Sequence, residues 1–278
     1  MSPLPPALTS PTDPAAFPAW LAWLDANRLT PLAARRLADT KLPVDVRSHL
    51  SVAYIQARAQ WLQRQYETVA LLDILAQTPS IPSVLLKGIA LAVSLYPDPA
   101  LRPMNDVDFL VPVDSLSKLS ERMKSCGYIE EGHTPGLDVT KLYQMCFIST
   151  RTASSLKLEF HATFTHLKPT YENGAMHWFW SQTEDFDFFG HSVRGLNPTS
   201  QLLYLAAHSM QQHGQASAPL IWIHDIDLLI RNRGDDISWS EIFDVAHEFG
   251  WEASLYSACE LAQSSFATPL PSPLHEWL

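Results

Sequence analysis

The sequence predicts an α+β protein, with a mixed β-sheet core in the middle of the chain and helical parts before and after it. Three observations carry that prediction. Residues 84–112, VLLKGIALAVSLYPDPALRPMNDVDFLVP, read as strand, tight turn, helix, proline-broken connection and strand. Residues 155–164, SLKLEFHATF, alternate apolar with polar side chains at a period of two. From Ala19 to Gln77, and again from Asn197 onward, apolar residues recur instead at three- and four-residue intervals, the spacing of a helix face. The expected division is a helical region over 1–79, a core over 80–165, and a connecting hairpin with a second helical region over 166–278.

Taken in order, residues 1–18 are broken by Pro3, Pro5, Pro6, Pro11, Pro14 and Pro18 and read as a loosely packed lead. Helices follow around Trp20–Leu24 and Leu29–Leu37. A long helix then runs from Val44 to about Gln77, where Leu50, Trp61, Leu72 and Ile74 fall at mixed intervals that suit packing on more than one side. Val84-Leu85-Leu86 is a short buried strand, and Ile89 to Tyr96 is a helix stopped by Pro97, Pro99 and Pro103. Asp106 to Val111 is the next strand. Val113 to Ser125 is an amphipathic helix with Gly127 as its left-handed cap.

Tyr128-Ile129 opens a strand, and Lys141–Thr150 pairs with Ser155–Phe164 through a hairpin at 151–154. Residues 165–196 read as irregular and aromatic-rich, with a second small hairpin around Gly190. Asn197-Pro198 caps and starts a helix to about Gln212. Further helices follow at Leu220–Arg231, Trp239–Phe249 and Glu252–Gln263, and the proline-rich end reads as loosely packed.

The chemistry concentrates on the second strand. Successive side chains of a strand point to opposite faces, so Asp106 and Asp108 share one face while Val107 and Phe109 share the other. Two neighbouring carboxylates repel, and one has its pKa raised unless a cation neutralises the pair. Oxygen ligands of this kind suit Mg²⁺ or Mn²⁺, the ions of in-line phosphoryl and nucleotidyl transfer. For a lone D-x-D the plain alternative is a solvated strand end. A preceding strand–glycine–helix unit and a nearby arginine shift the reading toward chemistry.

Lys87-Gly88, then Tyr96-Pro97, Arg102 and Asp106-x-Asp108 together resemble the signature of the polymerase-beta-type nucleotidyltransferase superfamily. More narrowly they resemble its uncharacterised bacterial branch, with a core of the form K-G, Y-P, R-P-x-x-D-V-D. The resemblance covers residues 82–164, and more loosely 197–231. It implies a nucleotidyltransferase-type sheet and an NTP substrate. It also implies a glycine turn that grips the triphosphate, a metal on Asp106 and Asp108, and a third carboxylate from a later strand. Two departures stand out: Ile89 occupies a position where many members have Gly or Ser, and the loop before Asp106 is longer than in minimal members.

The third carboxylate is assigned to Glu159, which lies on the polar face of its strand between Lys157 and His161. Glu159 lengthens the arm by one methylene relative to Asp and still permits metal binding or base catalysis. His161 is the neighbour to consider after it, with a hydrogen-bonded structural histidine as its alternative. The expected catalytic and metal-binding set is therefore Asp106, Asp108 and Glu159, with Mg²⁺ or Mn²⁺. Lys87, Gly88 and Arg102 are the phosphate-side candidates: Gly88 lets backbone approach because it has no Cβ, and Lys87 and Arg102 offset charge. For Arg102, a salt bridge that props the Asp106 loop is the alternative.

A second D-x-D, Asp225 and Asp227, falls in a helix, where residues two apart do not face each other. It cannot make the shared carboxylate face of the strand pair. Trp222-Ile223-His224-Asp225 resembles a Trp-x-x-Asp motif of the narrower branch and is read chiefly as a tie between helices.

Composition narrows the partners. The 278 residues are 46% apolar, enough for one large core or two modest ones. No apolar run approaches the ~18 residues of a membrane span, and the proline-rich start has no basic residue before Arg28, so neither a signal nor a transit peptide is expected and a cytoplasmic location is. A net charge of −10 with only 19 Lys and Arg argues against an extended nucleic-acid surface. The three cysteines fit no metal or disulfide spacing and read as small buried residues. The function expected is transfer of a nucleoside monophosphate from NTP to an acceptor that the sequence does not name. A non-catalytic nucleotide-binding accessory protein and a tRNA-modifying toxin are the alternatives.

Overall fold

The computed structural model describes residues 6–77, 81–132, 144–149, 156–164, 172–212, 214, 218–271 and 274. The main elements, in order, are α1 (Phe17–Ala26), α2 (Thr30–Arg36), α3 (Val44–Ala76), β1 (Val84–Leu86), α4 (Lys87–Ser94) and β2 (Asp106–Leu110). There follow α5 (Leu116–Ser125), β3 (Tyr128–Glu131), β4 (Gln144–Ser149), β5 (Lys157–His161), α6 (Glu172–Ser181), β6 (Thr183–Phe188) and β7 (His191–Leu196). The chain ends with α7 (Pro198–Ala207), α8 (Leu220–Arg233), α9 (Trp239–Phe249) and α10 (Glu252–Phe266). They form an α+β protein of two compact units, one of residues 62–94 and 104–197 and the other of 1–61, 95–103 and 198–278.

The first of these units holds every strand among the described residues. Its seven-stranded sheet runs β3-β4-β5-β2-β1-β7-β6. β2 lies parallel to β5 and β1 parallel to β7, whereas the other neighbours are antiparallel, so the sheet is mixed. The alternation read from the sequence is realised: Val107, Phe109, Met145, Phe147, Leu158 and Phe160 are buried on one face. The Phe109 and Phe160 rings stack 5.4 Å apart, and Phe147 meets Phe160 edge-on. The second half of α3 reaches this face, where the Ser149 hydroxyl donates to Glu67 at 2.9 Å. Leu116, Leu119 and Met123 of α5 are also fully buried, and Gly127 takes the left-handed φ of 83° that ends that helix.

Several stretches differ from the sequence reading. The proline-rich lead, expected to be loosely packed, forms short 3-10 turns and buries Leu8. Residues 172–181, expected to be irregular, form α6, which carries Trp178 and Phe179 in edge-to-face contact. The second hairpin, β6–β7, is not an isolated ribbon: β7 pairs with β1 and extends the sheet by two strands. A Cβ at Gly195 of β7 would stand 2.9 Å from the Phe186 ring, which would have to shift to admit it. The hairpin expected at 151–154 lies outside the described residues.

The second unit is helical. All residues of α7 are buried, and α7, α8 and α10 pack together with a wide π-type turn over His208–Gln212. Its interior holds a polar network. Arg102 donates through Nε and Nη2 to both oxygens of Asp225 at 2.7–3.0 Å, and the Tyr96 hydroxyl donates to Asp225 Oδ1 at 2.7 Å. His224 Nδ1 lies 3.0 Å from the same hydroxyl. Because that hydroxyl has one proton and gives it to Asp225, the imidazole is the donor to Tyr96. Among the described residues, no helix is long and apolar enough to cross a membrane.

Candidate active site

The site is built on the polar face of the β1–β2–β5 part of the sheet. Branched residues end β1 at Leu86, and the chain turns directly into α4 with no intervening loop. The turn is made by Lys87, whose φ of 46° is left-handed. A residue with a Cβ holds that conformation at a cost of about 1–3 kcal/mol, and such strain concentrates at functional positions. Gly88 becomes the second residue of α4, buried. The left-handed step therefore falls one residue earlier than the glycine would suggest. It aims Lys87 at β2, where Nζ meets Asp108 Oδ1 at 2.9 Å.

Parallel pairing of β2 with β5 sets the rest. Asp106 stands opposite Lys157, Asp108 opposite Glu159 and Leu110 opposite His161, so the ionisable residues of both strands share one face. His161 Nε2 lies 2.8 Å from Asp108 Oδ1 and 3.6 Å from Glu159 Oε2. Glu159 also accepts from Lys157 at 2.8 Å. Asp108 is 2% exposed. Burial alone would raise its carboxyl, but the Lys87 charge and the hydrogen bonds from His161 and Lys87 outweigh burial and hold it well below the usual carboxylate range. The repulsion expected for the D-x-D pair is thus relieved by a cation of the chain itself, Lys87. Lys157 is shifted up, chiefly by its hydrogen bond to Glu159.

Asp108, Glu159 and His161 each offer one ligand atom within 4.8 Å of the others. Two carboxylate oxygens and an imidazole nitrogen at that spacing fit a divalent cation. Asp106 shares the face, half-buried, but among the described residues it is not part of that group. The structure therefore gathers Asp108 and Glu159 as the sequence suggested, adds His161, and leaves Asp106 beside them. Arg102, the candidate with two readings, is 4% exposed with its fork occupied by Asp225. That is the geometry of a buried structural pair. Asp225 and Asp227 diverge as the helix requires: Asp227 accepts from Arg231 and Thr268, each at 2.7 Å.

What the sequence missed is the pairing of Lys87 with Asp108, 21 residues apart, for which no local signal exists. Of the cysteines, only Cys259 is fully buried. Cys146 is half-buried on the site's face opposite Glu159, and burial followed by the Glu159 charge pushes its thiol up.

An acid, a lysine and an imidazole thus gather around a strand-to-helix turn on a mixed sheet, and the family to which the chain belongs makes it a transferase of the nucleotidyl class. The chain belongs to the family described as uncharacterised nucleotidyltransferase, which matches residues 13–267. No curated protein matches the chain. Among solved structures it is similar to the lincomycin-bound lincosamide antibiotic adenylyltransferase LnuA, at 16% identity and a TM-score of 0.39 over 59% of this chain and 94% of that one. It is also similar to the antibiotic-resistance factor ANT(2'')-Ia, at 13% identity and a TM-score of 0.44 over 70% of this chain and 96% of that one. A nucleotidyltransferase-like antigen of Paracoccidioides brasiliensis gives 16% identity and a TM-score of 0.41 over 71% and 95%.

Proposed function

We propose that the protein is a metal-dependent nucleotidyltransferase that moves a nucleoside monophosphate from an NTP to an acceptor hydroxyl. The observation that carries this reading is the group of Asp108, Glu159 and His161 beside the Lys87 turn. Its donors fit a divalent ion, which when bound supplies charge stabilisation to a phosphoryl group in transfer. Asp106 is proposed as a further metal-binding carboxylate on the same face.

The chain's own residues take the remaining roles. The first N–H groups of a helix have no partner within it and favour an anion, so the start of α4 at Lys87-Gly88 is the proposed seat of the triphosphate. Lys87 neutralises Asp108 in the free protein and turns to the phosphates when nucleotide arrives. Glu159 orients the acceptor hydroxyl and accepts its proton as the acceptor oxygen bonds to the α-phosphorus. The bond from that phosphorus to the bridging oxygen breaks, and pyrophosphate leaves with that electron pair. Arg102, whose fork is held by Asp225, is assigned no phosphate contact.

Labelled NTPs incubated with the protein and Mg²⁺ or Mn²⁺ test the reading. Pyrophosphate release that Asp108→Asn abolishes is the expected result. Nucleotide binding without turnover under either metal would point to the accessory role instead.

A further inference from the structure

The donor set differs from the all-oxygen set that the sequence suggested. Two strands bring three ligand atoms together, and one of them is nitrogen: His161 Nε2, on a side chain 7% exposed and directed at both Asp108 and Glu159. Its position follows from the register. Leu110 of β2 stands opposite His161, one pleat repeat beyond the Asp108–Glu159 pair, so the ring reaches back along the strand to both carboxylates. The backbone is fixed as well, since the His161 carbonyl accepts from Val111 N–H at 2.9 Å.

Mg²⁺ is a hard ion that keeps oxygen ligands and loses water reluctantly, whereas imidazole is a ligand of first-row ions such as Fe²⁺, Ni²⁺, Cu²⁺ and Zn²⁺, the series that Mn²⁺ opens. We propose that His161 is a metal ligand of this site and that, through its nitrogen, the site selects Mn²⁺ or a similar transition ion over Mg²⁺. This rests on the nucleotidyltransferase reading of the site and specifies its cofactor. Ligation uses the Nε2 lone pair, so in the metal-bound state the ring proton sits on Nδ1 and the hydrogen bond from Nε2 to Asp108 is replaced by metal bonds from both groups. Lys87, which shares Asp108 Oδ1 with His161 in the free protein, is then released from that oxygen.

The experiment is electron paramagnetic resonance on Mn²⁺ bound to the full-length protein, without nucleotide. Pulsed spectra of the parent protein should show a ¹⁴N coupling from the imidazole. In competition titrations Mg²⁺ should displace Mn²⁺ poorly. His161→Asp, which exchanges nitrogen for oxygen, should lose the ¹⁴N coupling and shift the Mn²⁺-over-Mg²⁺ preference by at least about tenfold, the lower end of what an outer-shell partner is worth. Bound Mn²⁺ without ¹⁴N coupling in the parent, a readout that needs no variant, would overturn the proposal, as would an unchanged preference in a folded His161→Asp protein. Asp108→Asn separates the two levels of inference. Mn²⁺ affinity that survives in that variant refutes the site itself. Affinity lost there, with the Mn²⁺-over-Mg²⁺ preference untouched in His161→Asp, refutes only the nitrogen ligand.

Discussion

Asp108→Asn in the metal-free protein is the perturbation that tests the electrostatics of the site most directly. On carboxylate repulsion alone, removing one of the two would relieve strain and raise the melting temperature. The structure reverses the sign. Asp108 is 2% exposed and Lys87, which contacts it at 2.9 Å, is 12% exposed, so the variant leaves an ammonium in a nearly dry site without the carboxylate charge opposite it. Removing one partner of a buried pair costs about 3–5 kcal/mol. The slight exposure of Lys87 places the cost at the low end, about 3 kcal/mol. For a chain of this size a loss of about 3 kcal/mol lowers Tm by about 6 °C.

The assay is thermal unfolding followed by circular dichroism in chelator near neutral pH, on Asp108→Asn, Lys87→Met and the double variant. A coupling energy of about 1–3 kcal/mol between the two positions is expected, because they touch. A Tm that is unchanged or raised in Asp108→Asn, or strictly additive effects, would refute the pairing argument.

Glu159→Gln should retain nucleotide binding and lose turnover by about 10²-fold or more, the lower end for a positioned acid or base, with Glu159→Asp far milder. Rates at saturating metal and NTP decide it, and equal activity of Glu159→Gln and the parent removes Glu159 from the site. Asp227→Asn should leave Mn²⁺ affinity unchanged, since that carboxylate is held by Arg231 and Thr268 on a helix; an affinity loss matching that of Asp108→Asn would contradict the strand-versus-helix reasoning. His224 titrates at about 3 in the folded protein against 6.5 ordinarily, because of burial first and the charges of Arg36, Arg102 and Arg231 after it. Below 6.5 the unfolded chain takes up a proton that the folded one refuses, so stability should fall as pH drops from 6.5 toward about 3. The fall is on the order of a few kcal/mol. His224→Gln should flatten that slope in urea titrations across the window, and an unchanged slope would exclude His224 as its source.

The sequence by itself determined most of the elements, though not α6, and the chemistry of single faces. Period-two alternation in residues 156–161 set which side chains of β5 are polar, and the same rule put Asp106 and Asp108 on one side of β2, because a strand's pleat is a local property. The helical spacing around Asp225 and Asp227 excluded a second carboxylate site for the same kind of reason. The strand Val84–Leu86 and the helix after it were legible from branched residues and prolines alone.

Only the tertiary structure decided which faces meet. Whether β5 lies beside β2, in parallel and with Asp108 opposite Glu159, depends on pairing between segments about 50 residues apart, and alternation is identical for every even register shift. A slip of two residues would have set His161 opposite Asp108 and moved Glu159 away. Nor could the sequence show that the left-handed residue is Lys87 and not Gly88, since glycine is the ordinary choice for such a turn. Arg102 is the same case: its charge was evident, but its partner is 123 residues away in sequence. Local periodicity is written in the order of residues, whereas a charge's partner is set by the register and packing of the whole sheet and bundle.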